Sequence, residues 1–236
     1  MDQFFETFFS WVHFKGSFST VVEGFKTNLS LMFVAEACVL VWGLVLALVR
    51  LGRGRLTLPL RWLTVGYIDL FRAIPGLVLI YMVGFGIPIS GVPVLSDWSQ
   101  YSLAVLALTI LYGAYVAEVY RAGIESIHWS QTAAARSLGL SQGKTMRFVI
   151  LPQAVRRVIP PLLNDFIGLQ KDTALVALLG VVEAFRQSQI DVAATFNYTP
   201  YICTAILFVA ITVPLARFTD WLIARDRRRQ LAGGLR

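Results

Sequence analysis

Five apolar runs, each close to the length that a helix needs to cross a lipid bilayer, dominate this chain. A spanning helix takes about 20 residues, because in the hydrocarbon core each backbone polar group must be satisfied within its own helix. Hydrophobic residues make up 56% of the chain and charged residues only 15%, which is more apolar than a soluble domain requires. The sequence therefore predicts an all-α integral membrane protein with about five transmembrane helices, at residues 29–49, 63–87, 102–117, 158–182 and 201–222.

Arginine and lysine residues predict which ends of these helices face the cytoplasm, because cytoplasmic loops retain them. They cluster between the first and second runs, between the third and fourth, and after the fifth, whereas residues 73–120 contain none. We therefore expect the N-terminus outside and the C-terminus in the cytoplasm. The net charge of +7 belongs to these loops, so we expect no nucleic-acid binding. The three groups are Arg50, Arg53, Arg55 and Arg61; Arg121, Arg136, Lys144, Arg147, Arg156 and Arg157; and Arg225, Arg227, Arg228 and Arg229.

The chain divides into three parts. Residues 1–26 begin with Asp2 and Glu6 instead of a basic region and are rich in phenylalanine, so we predict an interfacial helix on the outer surface rather than a removable signal peptide. Residues 27–225 form the transmembrane domain, with a cytoplasmic loop at about 121–157. Residues 226–236 form a basic cytoplasmic tail.

Prolines and one glycine indicate where helices bend or end. Pro75 predicts a kink in the second run, and Pro160 with Pro161 predicts a break in the fourth. In the polar loop, the run from Ala133 to Ala135 favours a helix with little bulk, and Gly139 allows the left-handed turn that ends it. We expect Ser141 to cap a second short helix, which Leu151 and Pro152 should close. Such a knob suits docking to another protein, although an amphipathic helix lying on lipid has the same local pattern.

Two chemical signals in the chain do not support a cofactor or metal site. Gly143-Lys144-Thr145 resembles the end of a phosphate-binding loop, but Leu138 stands where the first glycine should be and no strand precedes it. Cys38 and Cys203 lie in different apolar runs, far in sequence from the two histidines, so no metal-ligand spacing is present. We therefore expect no catalytic residue, no metal and no ATP site on this chain.

Ionisable and polar side chains inside the apolar runs are costly in lipid, so they should face protein or a water-filled cavity. Asp165 and Asp172 are seven residues apart, on about the same face of a helix. That face is the predicted translocation route, although internal pairs such as Lys171 with Asp172 would also explain the charges. Asp69 and Arg72, three apart, are expected to form a salt bridge. The candidate path residues are Glu36, Asn164, Asp165, Asp172, Thr173 and Glu183.

Several runs resemble the cytoplasmic "EAA" loop of ABC importer permeases. They are Ala117–Ile127, the stretch from Gln131 through Thr132-Ala-Ala-Ala-Arg-Ser-Leu-Gly139 to Ser141, and Val149-Ile-Leu-Pro-Gln-Ala154. More narrowly, the chain resembles the polar amino acid permeases of the histidine, arginine, glutamine and glutamate systems. The resemblance extends to Asp69-Leu-Phe-Arg-Ala-Ile-Pro-Gly76, Leu169-Gln-Lys-Asp-Thr-Ala-Leu175 and Gly180-Val-Val-Glu183. It departs at Ala133, which replaces the acidic residue, and at His128, where relatives commonly carry proline.

This resemblance implies a type I ABC importer permease subunit that moves a polar or charged amino acid across the bacterial cytoplasmic (inner) membrane by alternating access. It implies two ABC ATPase subunits, which bind ATP and Mg, a second permease subunit that is either a copy or a paralogue, and an external solute-binding protein. The ATPase-coupling residues would be Ala133, Ala134, Ala135, Arg136, Gly139, Leu151 and Pro152. The competing classes are an ion-coupled secondary transporter or channel, and a membrane scaffold without transport activity.

Overall fold

A computed structural model describes residues 1–52, 54, 57–92 and 94–233 of the chain. Arg53 and Arg55 of the first basic group, and the side chains of Arg227 and Arg229, lie outside the described residues. Within the described part all regular elements are helical. The α-helical segments are α1 (Asp2–Phe9), α2 (Trp11–Leu51), α3 (Leu58–Ala73), α4 (Gly76–Ile89, with a π-helical turn inside it), α5 (Gln100–Glu125), α6 (Trp129–Ser137), α7 (Gln142–Thr145), α8 (Leu151–Asp172), α9 (Ala184–Thr195) and α10 (Thr199–Gly233).

Three helical stretches of the described chain are long and apolar enough to cross a membrane, and a broken pair can be counted as a fourth. They are Asp2–Leu51, α5 and Thr199–Asp226, and the pair is α3 with α4. The fourth predicted run, 158–182, is not among these candidates, because α8 carries charged and polar residues and ends at Asp172. The helical membrane-protein class is confirmed, while five crossings and the orientation of the two ends stay predictions.

Proline acts differently at its two predicted sites. At Pro75 the chain does interrupt its helix, since α3 ends at Ala73 and α4 begins at Gly76. The break predicted at Pro160 and Pro161 is wrong, because α8 continues through both residues. Each proline there removes only its own N–H donor, and the turns on either side of the pair keep the helix intact. The helix ends later, at Asp172, where a 3₁₀ segment (Thr173–Leu179) leads to the left-handed Gly180 at φ +82°.

The chain forms two compact units, each built from separated stretches of sequence. The first comprises Met1–Ala37, Ile74–Thr109 and Ile167–Arg217. A core cluster in this unit joins α2, α9 and α10 through buried Val21, Phe25, Ala184 and Cys203.

The second unit comprises Cys38–Ala73, Ile110–Phe166 and the C-terminal segment from Phe218. One of its clusters joins α2, α3 and α5 through Leu46, Ile68 and Ala117. Another packs Ile127 against Ile150 and Ala154, and so supports the polar loop between α5 and α8.

Candidate functional site

The polar loop of the second unit has the local structure that its sequence predicts. Helix α6 ends in a Schellman motif, in which the N–H of Leu140 donates to the Ala135 carbonyl at 3.2 Å and the N–H of Gly139 donates to the Arg136 carbonyl at 3.0 Å. Gly139 adopts φ +81°, the left-handed conformation that glycine enters without a Cβ penalty. The predicted left-handed turn is therefore confirmed.

Side chains cap both short helices of this loop. The Ser141 hydroxyl accepts from the Lys144 N–H at 3.4 Å, as the sequence predicted. His128 precedes α6 and accepts from the Ser130 N–H at 3.3 Å, so an imidazole caps this helix. These caps satisfy donors at the helix starts and hold the loop in one shape.

The tip of the loop consists of small residues that are mostly exposed to solvent. Ala133 and Ala134 are exposed, while Ala135 is buried beneath them. A Cβ placed on Gly139 would meet no atom within 4 Å, so the chain itself leaves this surface uncovered. Leu138, beside the glycine, is 83% exposed. This is a compact surface that another protein can approach closely.

Leu151 and Pro152 do not close the second helix, so that prediction is wrong. A π-helical turn, Met146–Ile150, follows α7, and α8 begins at Leu151 and runs through Pro152. A π turn widens the backbone just before the proline, which accommodates a residue that cannot donate an N–H. Both residues are exposed.

A cavity of about 470 Å³ lies in the second unit, between α3, α5 and α8. Its lining combines two arginines, two carboxylates and an aromatic ring with small apolar side chains. Such a mixture of an apolar wall with a few polar groups is typical of a small-molecule site. The lining residues are Arg72, Tyr115, Glu118, Val119, Ala122, Gly123, Ser126, Arg157, Pro161 and Asp165.

The two carboxylates of this cavity have different partners. Glu118 accepts from Arg50 at 2.7 Å and also pairs with Arg121, which bonds Glu125 in turn. Asp165 has a buried Oδ2 atom with no hydrogen-bond partner among the described residues. Asp165 is therefore the carboxylate of this cavity with capacity to accept a donor from a ligand.

Arg72 and Arg157 supply positive charge to the same cavity. The Arg72 guanidinium lies 5.6 Å from the centre of the Tyr115 ring, a cation–π arrangement. The predicted salt bridge between Arg72 and Asp69 is not formed in the described part of the chain, because Arg72 lies against Tyr115 while Asp69 is exposed. Arg157 donates to the Ser126 carbonyl at 2.5 Å.

The predicted path residues are distributed over both units and differ in exposure. Asp165 lines the cavity, and Asn164 beside it is exposed. Glu36 and Asp172 are half-buried, in the first unit. Thr173 and Glu183 are fully buried in that unit, both bonded to Asn28. The alternative partner of Asp172, Lys171, lines a separate cavity of about 490 Å³ in the first unit.

Glu183 caps a helix and is not exposed to a route. Its carboxylate accepts from the N–H groups of Phe185 and Arg186 at the start of α9, at 2.9 and 2.7 Å. It also accepts from the Asn28 amide at 2.9 Å, while the Asn28 oxygen accepts from the Ala184 N–H at 3.0 Å. Asn28 is not among the predicted residues, because its partners lie about 150 residues away in the sequence and no local pattern indicates them.

No group of three or more histidine, cysteine or carboxylate side chains within the described ranges is arranged to hold a metal ion. The polar groups of the described chain are instead arranged as helix caps, a charge network around Glu118 and the lining of the cavity. The charged lining of the cavity has the chemistry to contact a small polar molecule, and the loop that ends at Gly139 is left uncovered by the described chain.

Helices long and apolar enough to cross a membrane define a helical membrane protein. The family model described as "Binding-protein-dependent transport system inner membrane component" matches residues 40–228. The chain belongs to this family.

Curated relatives agree over nearly the full length. The chain is 36% identical over 87% of its length to the probable amino-acid ABC transporter permease protein YckA of Bacillus subtilis, of which it covers 88%. It is 32% identical over 94% of its length to the glutamine transport system permease protein GlnP of Escherichia coli K12, of which it covers 97%.

Solved structures share the fold. The crystal structure of an amino acid ABC transporter with histidines matches with a TM-score of 0.81 and 32% identity, over 92% of this chain and 98% of that one. An inward-facing MetNI methionine ABC transporter matches with a TM-score of 0.66 and 21% identity, over 87% and 95% of the two chains, which supports the fold alone.

Proposed function

We propose that this chain is the membrane-spanning permease subunit of an ATP-driven importer for a polar or charged amino acid. The observation that carries the proposal is the capped, exposed loop around Gly139 in a chain whose family contains amino-acid ABC transporter permeases. ATP and Mg would be bound by two partner ATPase subunits, and this chain would perform no covalent chemistry. Transport would follow an alternating-access cycle in the bacterial cytoplasmic membrane.

The loop surface would transmit the work of the ATPase. Its exposed small residues leave room for a groove of the partner to approach the backbone, and the Schellman turn fixes their position. Because Ala133 replaces the usual acidic residue, contact would depend on shape more than on a charge pair. Arg136 donates to the Leu140 carbonyl at 2.8 Å, which reinforces the turn from within the chain.

The cavity between α3, α5 and α8 would receive the amino acid. Every free amino acid carries a carboxylate and an ammonium group, and the cavity offers Arg72 for the first and Asp165 for the second. Glu118 is occupied by Arg50 and Arg121, so it contributes to the shape of the wall more than to binding. Asn164 is exposed one residue from Asp165, where it would contact solute at the cavity mouth.

The remaining partners follow from the same proposal. An external solute-binding protein would deliver the amino acid, and a second permease subunit, identical or different, would complete the path. The apolar helices would contact membrane lipid. No nucleic acid is expected.

Co-purification tests this assignment against an ion-coupled transporter and against a scaffold. The chain would be expressed with a candidate ABC ATPase subunit from the same genome, purified through a tag on the permease alone, and reconstituted in vesicles. We expect stoichiometric recovery of the ATPase and amino-acid uptake that requires ATP on the ATPase side. Uptake driven by an ion gradient without ATP would contradict the proposal, and so would a purified chain with neither ATPase nor uptake.

A further inference from the structure

Helix α1 divides its eight residues cleanly between an aromatic face and a polar face. At 3.6 residues per turn, its side chains fall on two opposite arcs of the helix. The aromatic arc consists of Phe4, Phe5, Phe8 and Phe9, and the polar arc consists of Asp2, Gln3, Glu6 and Thr7. This segregation is typical of a helix that lies along a boundary between an apolar phase and water.

The aromatic face is not used up by packing within the chain. Phe4, Phe5 and Phe9 are 56%, 54% and 55% exposed, and no residue of α1 is buried. The Phe8 ring packs against the rest of the unit, 5.5 Å from the ring of Tyr198. The chain therefore leaves more than half of the surface of each of these three phenylalanine side chains uncovered, and they form one exposed apolar patch.

Helix α1 is fixed to the short connection between α9 and α10. The Tyr198 N–H donates to the Thr7 carbonyl at 2.9 Å, and the Asn197 amide donates to the Glu6 carbonyl at 2.8 Å. The Ser10 N–H donates to the Thr199 hydroxyl at 3.0 Å. These bonds, all within the first unit, hold α1 as a rigid element at a defined place.

That place is the end of a membrane-length helix. Thr199, the partner of Ser10, is the first residue of the candidate span Thr199–Asp226. One turn into that span α2 already packs beside α10, through the cluster of Val21 with Cys203. Further along, the Phe25 and Phe208 rings lie 5.2 Å apart. Helix α1 therefore lies at the level where the apolar surface of a span begins, which in membrane proteins is the boundary between headgroups and acyl chains.

We propose that the aromatic face of α1, formed by Phe4, Phe5 and Phe9, lies in the lipid headgroup–acyl boundary and anchors the first unit to the bilayer surface. The occupant is phospholipid, because the face carries no charge and no hydrogen-bonding group, and because Ser10, which follows α1, is bonded to the first residue of the span Thr199–Asp226. Since α1 also holds residues 197–199, the bilayer fixes the α9–α10 connection through it. This inference needs only a membrane-embedded chain, not the proposed substrate or ATPase coupling.

Neighbouring positions on the two faces allow a matched test in the full chain with its partner subunits. Single cysteines would be placed as Phe5→Cys and Glu6→Cys, both at exposed sites, in a background with Cys38→Ser and Cys203→Ala. Each would be labelled with bimane and reconstituted in vesicles of phosphatidylethanolamine and phosphatidylglycerol. Quenching would be measured with a nitroxide-bearing lipid and with aqueous iodide, and the elution profile of each variant would confirm that it is folded.

We expect the nitroxide lipid to quench the label at position 5 several-fold more than the label at position 6, and iodide to show the reverse order. Equal quenching by iodide at both positions would overturn the proposal, because the face would then be in water. A label at position 5 that the nitroxide lipid cannot quench, but that a substrate-loaded binding protein shields from iodide, would overturn it in favour of a protein partner.

Discussion

At the scale of single residues, the first unit depends on one buried amide. Asn28 is 2% exposed and bonds Thr173, Glu183 and the Ala184 N–H, so it joins α2 to the start of α9 and to the 3₁₀ segment. Glu183, which is fully buried, has four lone-pair directions to satisfy, and the amide supplies one of its three donors. Burying a carboxylate is costly unless its acceptors are paired in this way.

Replacing Asn28 by alanine should therefore destabilise the protein. The Asn28→Ala variant leaves Glu183 and the Ala184 N–H each short of a partner, at a cost of about 1–3 kcal/mol for each buried group left unpaired. We expect the detergent-purified variant to have a lower melting temperature. The measurement is the loss of monodisperse protein on heating. Asn164→Ala is the matched control, because that asparagine is exposed. Equal melting temperatures for the two variants would contradict the role given to Asn28.

Asp165 should contribute to substrate binding and not to the stability of the fold. Its Oδ2 atom has no partner among the described residues, so Asp165→Asn removes charge without breaking an observed bond. The amide oxygen can still accept, but a hydrogen bond to a charged group contributes about 1.5–3 kcal/mol against about 0.5–1.5 for a neutral one, so the apparent affinity for substrate should fall about ten-fold. Amino-acid uptake would be measured in reconstituted vesicles, and co-purification would confirm that the variant still assembles with the ATPase. Asp69→Asn, exposed on α3 and outside the cavity, should leave uptake unchanged; the reverse pattern would move the site away from Asp165.

Asp165 and Glu183 show which part of the candidate site can be predicted from the sequence and which part cannot. Asp165 could be selected from sequence because a carboxylate in an apolar run has to face a cavity or a partner. Glu183 met the same criterion, yet it caps α9 with Asn28 as its partner from α2. Sequence separation of 155 residues hides that pairing, since local periodicity carries no information about which helices meet. The pair predicted for Asp69 and Arg72 fails for the same reason, because Tyr115 on another helix takes the arginine.

At the scale of elements, α2 approaches the start of α9 more closely than side chains would allow. A Cβ on Gly24 would lie 2.7 Å from the Glu183 carbonyl carbon and 2.8 Å from the Ala184 nitrogen. Both atoms are backbone, so they cannot swing aside as the end of a side chain can. Gly24 is therefore the residue that lets α2 bring Asn28 within hydrogen-bond reach of Glu183.

Two glycines of the same helix give a matched comparison. Gly24→Ala should force the α2 and α9 backbones apart and destabilise the protein by about 1–3 kcal/mol or more, as overpacking does. Gly16→Ala, on the same helix with no atom within 4 Å of its Cβ, should be neutral or slightly stabilising. Thermal unfolding of the two purified variants would compare them. If Gly24→Ala melted as high as Gly16→Ala, the close backbone contact would be refuted.

A turn or a helix cap can be predicted from the sequence when the residues that determine it are close neighbours in the chain. The left-handed turn at Gly139 and the Ser141 cap follow from short patterns, and both are present. Proline is less decisive, because its effect depends on what surrounds it. Pro75 interrupts a helix, whereas Pro152 is accommodated by the π turn before it and helix α8 continues beyond.

At the scale of the whole molecule, the alternation of basic loops predicts topology that labelling can test. Ser90, next to Gly91, should face outside, while Lys144 and Arg228 should face the cytosol. Ser90→Cys, Lys144→Cys and Arg228→Cys would be made singly in a background lacking Cys38 and Cys203; all three positions are exposed. In intact cells an impermeant maleimide should reach only position 90. Labelling at position 144 but not at 90 would invert the orientation.

The number of membrane-spanning helices is harder to predict from the sequence than the individual turns and caps. Three apolar helices and one broken pair of the described chain satisfy length and hydropathy, but the run 158–182 is shared between α8 and a 3₁₀ segment. Among its polar residues, Asp165 lines the cavity between α3, α5 and α8, and Thr173 bonds Asn28. Average hydropathy therefore does not identify a membrane-spanning helix in a stretch where a cavity or internal packing requires polar side chains.

The central claim is that the Gly139 loop couples this chain to ATP hydrolysis, and one substitution tests it most directly. Gly139→Val places a β-branched residue in a left-handed turn, with backbone strain of about 1–2 kcal/mol, and adds bulk at the exposed tip. Gly143→Val is the control, because it adds the same side chain in open space at a helical position of α7. Reconstituted complexes would be compared for uptake and for the ATPase activity that loaded binding protein stimulates. We predict that Gly139→Val loses both while Gly143→Val retains them; normal stimulated hydrolysis and normal uptake in Gly139→Val would contradict the account.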